Sequence, residues 1–483
     1  MKPHHHLLSQ HFSQRTVISL SLGAVLMSPL AALAQSPNDI QQLKDSAQQM
    51  QRTINSLNTR IAELENQQNP RSKKKKSLGT PSKVIIPLMP IVTGRQSPVV
   101  NRDSFNDQQE AVSRPLDFTL TPQPKGYIPV PNSGLMMKFD LRPRVDVTVD
   151  HYNSGSPSRF IPAKFALKGA ADFSDATRSN ISANGSQLRV DVRNPELDGN
   201  FRVYYQNDFY GDSSDKKMAL RVQQFYAQYF GFKAGFATSA WEDGDVWPDT
   251  VDYEGPNSLV FARRATLQYT HAINDLFSAK VGLDDPNISV DGAQAINQVP
   301  DLTANLRWED SAWGHVQFSA IARRIGASET DGTESYVNAW GINLGSSLKV
   351  TDTDSLQLLG VVGKGIGALG NDAGFYNSDA GFSSGGQLES LPYWSVMGGY
   401  THHWASNLAS TATFGYVDLS NASGQAGDFY HNTTYVSTNL IWQIKERWTL
   451  GLELLCGVKE VKDGDSSGNN YRVQVGMNYA LFD

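Results

Sequence analysis

The 483-residue sequence has almost no cysteine: Cys456 stands alone, so no disulfide can form within one chain. It also lacks long apolar runs, because no stretch after residue 34 approaches the roughly twenty apolar residues of a membrane helix. Any membrane-spanning part must therefore be a closed β-barrel. Positive charge is not in excess. The formal net charge is -6, and subtracting Lys2 and Arg15 with a leader takes it to -8, which argues against a nucleic-acid partner.

The composition is rich in the residues of short strands and tight turns. There are 40 glycines, 18 tyrosines, 21 phenylalanines and 9 tryptophans, while only 40% of the residues are hydrophobic and the mean hydropathy is -0.38. These values suit a barrel with aromatic girdles, but secreted all-β proteins share them. Composition therefore leaves open several soluble domains or one large barrel.

Residues 1–34 have the pattern of a secretory signal peptide. A basic start with Lys2 and Arg15 precedes an apolar stretch from Val17 to Leu33, and small residues lead up to Ala34. Cleavage is predicted after Ala34. Serines and a proline interrupt the apolar stretch, which disfavours the alternative of an uncleaved anchor helix.

Residues 35–69 carry a heptad repeat. Apolar residues recur at alternating spacings of three and four, which predicts an α-helical coiled coil that self-associates. The positions are Ile40, Leu43, Ala47, Met50, Ile54, Leu57, Ile61 and Leu64. This pattern does not separate a dimer from a trimer.

Residues 70–134 form a basic, proline-rich segment, in which a lysine run spans positions 73–76. Frequent prolines remove backbone donors and fix φ, so an extended linker is predicted. The lysine run is interpreted as solvated linker, with contact to an anionic envelope component such as peptidoglycan as the alternative.

Residues 135–483 show repeated segments of alternating hydrophobicity separated by polar or glycine-rich breaks. In the first segment Val145, Val147 and Val149 alternate with polar residues, and in the last Val473 and Val475 do so. This pattern predicts an all-β protein: a transmembrane antiparallel up-and-down β-barrel of about 16 strands, preceded by the coiled coil. Long and short breaks alternate, so both the coiled coil and the C-terminus are expected on the periplasmic side. The usual terminal aromatic is imperfect, because Asp483 follows Phe482.

Three stretches carry a family resemblance: 201–211 (FRVYYQNDFYG), 231–235 (GFKAG) and 248–256 (PDTVDYEGP). Together with a coiled coil ahead of a barrel, they resemble the DcaP-like outer-membrane porins. The similarity is strongest from about residue 186 to 285. The resemblance implies a sixteen-stranded homotrimer that admits small anionic, often dicarboxylic, solutes. The long basic linker and Asp483 depart from the pattern.

With the apolar face toward lipid, ten arginines fall at inward positions. They are Arg142, Arg144, Arg189, Arg193, Arg202, Arg221, Arg264, Arg307, Arg323 and Arg472. Guanidinium groups stay charged at physiological pH, so such a ladder is predicted to favour anions. Acids share this face, so some arginines should be neutralised; for each single arginine an ion pair and a solute contact both remain open.

The break at 241–258 is the predicted constriction loop. It contains Glu242, Asp243, Asp245, Asp249, Asp252 and Glu254. These acids are expected to fold inward and face the arginines, with a plain surface loop as the alternative.

No nucleophile, base and orienting group occur together, so no enzyme is predicted. His315 stands alone in its strand, and neither a metal nor a cofactor is expected. The predicted function is a porin for passive diffusion of small anionic solutes in the outer membrane of a Gram-negative bacterium. Expected partners are further copies of the chain, outer-membrane lipids and lipopolysaccharide. The alternative is a structural protein that tethers the outer membrane to the cell wall.

Overall fold

The structure is a computed structural model that describes residues 126–194, 197, 201–211, 218–445, 447–464 and 466–480. The predicted signal peptide, the predicted coiled coil and residues 70–125 of the predicted linker lie outside these ranges, as does Asp483. Within the part of the chain that the structure describes, no helix has the length and apolar character needed to cross a membrane.

The alternating segments form extended strands, and the described residues contain 22 of them. In chain order they are β1 (Ile128–Pro129), β2 (Met136–Arg142), β3 (Arg144–Asp150), β4 (Arg178–Ser182), β5 (Gln187–Arg193), β6 (Arg202–Asp208), β7 (Arg221–Tyr229), β8 (Phe232–Thr238), β9 (Arg263–Ala272), β10 (Phe277–Asp284), β11 (Gln294–Ile296), β12 (Asp301–Asp310), β13 (Gly314–Ser328), β14 (Glu334–Lys349), β15 (Ser355–Lys364), β16 (Ala380–Phe382), β17 (Leu388–Ser390), β18 (Pro392–Ala405), β19 (Leu408–Leu419), β20 (Tyr430–Lys445), β21 (Trp448–Val461) and β22 (Ser467–Tyr479). Single-turn 3₁₀ helices occupy Pro162–Lys164, Gly244–Val246, Gly367–Leu369 and Ala373–Phe375.

The long strands pair with their neighbours in an antiparallel up-and-down order. From β5 to β10, from β12 to β15 and from β18 to β22, each strand bonds to the next along the chain. The gaps are bridged by β10 with β12 and by β15 with β18. The last strand, β22, pairs with β3, where Val475 lies opposite Val147. The predicted all-β, antiparallel up-and-down architecture is confirmed.

The prediction of about sixteen strands is wrong as a count of hydrogen-bonded segments. Pro143 has no backbone N–H, and it separates β2 from β3 within the single strand predicted at 135–150. A turn in which the Ser186 N–H bonds to the Ala183 carbonyl likewise separates β4 from β5. Four short strands carry no long alternating pattern: β1 precedes the long strands, and β11, β16 and β17 lie between them.

The two faces of the sheet differ in polarity. On β3, Val145, Val147 and Val149 are about 40% exposed, whereas the intervening Asp146 and Thr148 are fully buried. The same alternation runs along β22. Apolar side chains on the outer face and polar ones inside are the reverse of a soluble protein and match a lipid-facing wall.

Connections on one side of the sheet are short and on the other side mostly long. Short ones include residues 230–231, 273–276, 311–313 and 406–407, whereas long ones include 151–177, 239–262 and 365–391. The connection at 329–333 is a short exception on the long side. Because antiparallel strands alternate in direction, the long connections all leave from the same end of the sheet.

The long connections fold against the inner face instead of extending into solvent. Every residue from 237 to 253 is buried. An apolar cluster joins this connection to those at 151–177 and 365–391 through Trp241, Leu259, Ile161 and Leu369. The interior is therefore partly filled by loops, and these loops position the candidate site.

Candidate functional site

The ten predicted arginines all lie on the inner face. Seven are buried, while Arg142, Arg193 and Arg221 are only half-buried. Alternation places them inward: Arg221, for example, lies between the exposed Leu220 and Val222. The ten arginines are concentrated on β2 to β13 and on β22. By contrast, the described strands from β14 to β20 carry no buried charged residue, and their inner face is built mostly from small, neutral and aromatic residues.

Nine of these arginines form an ion pair of 3.0 Å or less. The pairs are Arg142–Asp140, Arg144–Asp146, Arg193–Asp191, Arg202–Asp191, Arg221–Asp208, Arg264–Asp301, Arg307–Glu309, Arg323–Asp301 and Arg472–Asp150. The tenth, Arg189, donates to the Gln187 side chain at 2.6 Å. Buried charges of one sign are costly without such partners, so the ladder consists of alternating opposite charges.

The loop at 241–258 first follows the uncharged part of the inner wall. Asn343 on β14 donates to the Trp241 carbonyl at 2.9 Å, and Asn439 on β20 donates to the Asp249 carbonyl at 2.7 Å. Backbone carbonyls in the interior require donors of this kind, and the wall supplies them from side chains.

The same loop then reaches the arginine-bearing wall. The Val251 carbonyl accepts from Gln474 on β22 at 3.2 Å and also from Arg144 on β3. The Tyr253 hydroxyl donates to Asp208 on β6 at 2.7 Å. The loop therefore contacts both halves of the inner wall and crosses the interior between them.

Glycines on the inner wall make room for the loop. A β-carbon on Gly399 would lie 2.6 Å from Pro248, and one on Gly451 would lie 2.5 Å from Val251. Gly345 and Gly415 stand equally close to Asp243 and Asn257. The sequence analysis did not predict this contact surface for the loop. Its signal was present in the sequence as glycines at inward positions of β14, β18, β19 and β21.

The six predicted loop acids have different partners. Asp243 and Asp245 contact Arg307, and Glu254 pairs with Arg159 at 3.1 Å, an arginine outside the predicted ladder. The remaining three are held by the backbone or lie beside it: Glu242 accepts from the Ala262 N–H, Asp252 accepts from the Phe160 N–H, and Asp249 is buried next to Asn439. Burial raises the pKa of both Glu242 and Asp252 to about 7.

A second charged cluster anchors the connection at 365–391. Arg323 on β13 pairs with Asp301 at 2.9 Å and with Asp379 of this connection at 3.0 Å, and all three side chains are inaccessible to solvent. Arg323 also donates to the Gly365 carbonyl at 2.6 Å and the Pro286 carbonyl at 2.7 Å. Two long connections are thus bound to the wall through one guanidinium.

Comparison with known proteins identifies the family. The model of the DcaP outer membrane protein family matches residues 95–481. The chain belongs to the DcaP outer membrane protein family. Among curated proteins, no relative matches significantly.

Three solved structures are similar to this DcaP family member to different degrees, and the first shares its fold. The outer membrane channel DcaP of Acinetobacter baumannii has a TM-score of 0.63 and 18% identity, over 72% of this chain and 98% of that one. An anion-selective porin from Comamonas acidovorans has a TM-score of 0.47 and 12% identity, over 72% of this chain and 100% of that one. OmpT of Vibrio cholerae has a TM-score of 0.44 and 11% identity, over 73% of this chain and 99% of that one.

Family and fold together describe an outer membrane protein. The DcaP family model spans most of the chain, and the solved DcaP channel shares the fold. The polar inner wall and the loops that fold against it are therefore the candidate functional surface.

Proposed function

We propose that this DcaP family member is a porin through which small anionic solutes, such as dicarboxylates, diffuse passively along an arginine-lined lumen. The observation that carries the proposal is the polarity of the wall: arginines point inward on the strands whose outward residues are apolar. Val473 and Val475, which flank Gln474 on β22, are exposed, while Arg472 on the same strand is buried.

The lumen requires a closed barrel, and we propose one of sixteen strands. The pairing of β22 with β3 supports closure, because it joins the last strand to the first long one. The count starts from the 22 strands of the described residues and sets the four short ones aside. When β2 and β3 are counted as one interrupted strand, and β4 and β5 as another, sixteen strands remain. A barrel of this size leaves an aqueous channel unless loops narrow it.

The arginines that remain partly accessible are the proposed solute contacts. The side chain of Arg221 is 30% exposed, the largest value among the ten, and those of Arg142 and Arg193 follow at 15% and 13%. A guanidinium can bind a carboxylate through two parallel hydrogen bonds, and it holds its charge at any physiological pH. The seven buried arginines instead hold the wall and loops in place through their ion pairs and hydrogen bonds.

The loop at 241–258 is the proposed constriction. It crosses the interior, and at its start Asp243 and Asp245 contact Arg307 on the neighbouring strand β12. Acids of the loop and accessible arginines elsewhere on the wall would orient a dipolar or charged solute as it passes. This arrangement favours solutes whose two ends differ in charge or that carry two separated carboxylates.

We also propose that the mature protein is a homotrimer in the outer membrane of a Gram-negative bacterium, with residues 35–69 as a periplasmic coiled coil. The heptads of this segment and the family resemblance support the proposal. Native mass spectrometry of the purified protein, with and without residues 35–69, tests it. A monomer in both samples would contradict it.

Planar-bilayer recordings under a salt gradient test the proposed selectivity. The reversal potential should have the sign of an anion-selective channel. Arg221→Gln should reduce this preference, whereas Arg178→Gln, a matched change at an exposed position of β4, should not. A cation-selective reversal potential in the wild type would overturn the proposal. Liposome swelling with mono- and dicarboxylates then ranks the solutes.

A further inference from the structure

Three potential metal ligands converge where the constriction loop meets the wall. Asp243 caps the start of the 3₁₀ helix in the loop, Asp245 lies within that helix, and His315 lies on β13. One side-chain ligand atom from each lies within 4.8 Å of those of the other two, and all three residues are buried. Sequence reasoning took His315 as isolated because its partners lie about seventy positions earlier in the chain.

One oxygen of this cluster has no partner among the described residues. Asp245 Oδ1 forms no hydrogen bond with any of them, although Asp245 is only 1% exposed, while its other oxygen contacts Arg307. A buried carboxylate oxygen normally has a donor or a cation beside it, because its desolvation is otherwise costly. This oxygen without a hydrogen-bond donor is therefore an independent sign that the cluster binds a further ligand.

The local charge points to a cation. Arg307 contacts Asp243, Asp245 and Glu309, so three carboxylates share one guanidinium. Carboxylates therefore outnumber guanidinium groups in these contacts, and a divalent cation would supply the opposite charge.

The ligand types define the class of ion. His315 Nε2 and Asp243 Oδ2 are 2.9 Å apart. Neighbouring ligands of a metal with bonds of about 2.0–2.2 Å stand at such a separation, so the pair can chelate an ion as readily as share a hydrogen. One imidazole nitrogen with two carboxylate oxygens suits divalent transition ions of the zinc and manganese type.

We propose that Asp243, Asp245 and His315 bind one divalent transition-metal ion, with water completing its coordination. His315 then supplies a lone pair instead of hydrogen bonding to Asp243, and any proton it carries is released. Arg307 remains on the outer carboxylate oxygens and orients them. The ion ties the start of the constriction loop to β13, so binding holds the loop against the wall.

Metal titration of the protein purified from outer membranes and stripped with EDTA tests the proposal. Calorimetry with Zn²⁺ should give one site per chain, and Co²⁺ should give a visible absorption band from its bound imidazole. His315→Gln and Asp245→Asn should each weaken binding by about 10-fold or more. His151→Gln, a change at an exposed histidine outside the cluster, should leave it unchanged.

Two results would overturn this proposal: no stoichiometric binding to the wild type, or equal binding by the wild type and both cluster variants. Asp245→Asn keeps the side-chain shape, so it guards against a folding defect, and the heat-dependent gel shift of a folded barrel verifies each variant. The readout is binding, so it does not depend on the outcome of the selectivity recordings.

Discussion

Val251 of the constriction loop packs against Gly451 of β21 so closely that a β-carbon on the glycine would lie 2.5 Å from Val251 Cγ2. The wall at this point is therefore shaped to the loop. A side chain there and the loop cannot occupy the same space.

Gly451→Leu is expected to push the loop away from β21 and to destabilise the fold. Overpacking of a well-filled interior typically costs about 1–3 kcal/mol. Single-channel conductance should change, and urea unfolding in lipid vesicles should show the loss of stability. Gly360→Leu is the matched control, because nothing lies within 4 Å of the β-carbon position at Gly360. Equal conductance and equal stability of the two variants would contradict the close packing of the loop against Gly451.

Arg323→Met should release the connection at 365–391. The change leaves Asp301 and Asp379 buried without their shared partner, and removing one member of a buried ion pair costs about 3–5 kcal/mol. We expect a lower unfolding temperature and faster protease cleavage within 365–391. Arg324→Met, at the half-buried neighbouring position, should behave like the wild type. Unchanged protease resistance in Arg323→Met would rule out the anchoring role.

Asp372 is expected to make stability depend on pH. Burial raises its pKa to about 7, although it accepts from the Ala163 N–H and contacts the Thr433 hydroxyl. A raised carboxyl pKa favours the protonated form in the folded state. Its contribution is therefore complete below the ordinary value of about 4 and is lost as the pH rises through about 7.

Unfolding of the wild type and Asp372→Asn between pH 4 and 8 measures this effect. The wild type should lose stability with a slope of up to about 1.4 kcal/mol per pH unit from this group. The asparagine, which resembles the protonated acid, should lose less. Parallel curves for the two proteins would show that Asp372 does not titrate in this range.

Ile342→Arg tests whether the exposed face of the wall contacts lipid. Ile342 lies near the middle of β14 and is exposed, between the buried Gly341 and Asn343. An arginine facing lipid at mid-depth costs about 2–4 kcal/mol. Folding into vesicles should be correspondingly less favourable, whereas Ile342→Ala should fold nearly as well as the wild type. A neutral effect of the arginine would place this face in water.

The strand pattern was predictable because it is local. Alternation over ten residues depends only on which face each side chain occupies, so the segments predicted at 135–150 and 470–482 correspond to β2 with β3 and to β22. The inward positions of Arg144 and Arg472 followed from the same rule. The break at Pro143 was overlooked, although proline marks such a break in any strand.

The contacts inside the wall were not predictable in the same way. His315 meets Asp243 from a position 72 residues away, and Tyr253 meets Asp208 from 45 residues away. These contacts depend on the path of a loop with no periodicity. The glycine at 451 illustrates the difference: alternation gives its face, but only the structure gives the valine beside it.

The contact between Gln474 and the Val251 carbonyl also orders the events of assembly. Gln474 belongs to the final strand, whereas Val251 lies in a loop near the middle of the chain. The loop cannot gain this contact until the C-terminal strand has been made and has taken its place beside β3. The wall contacts from Asn343 and Asn439 can form without that strand, so the end of the loop near Val251 is the part whose anchoring depends on completion of the chain.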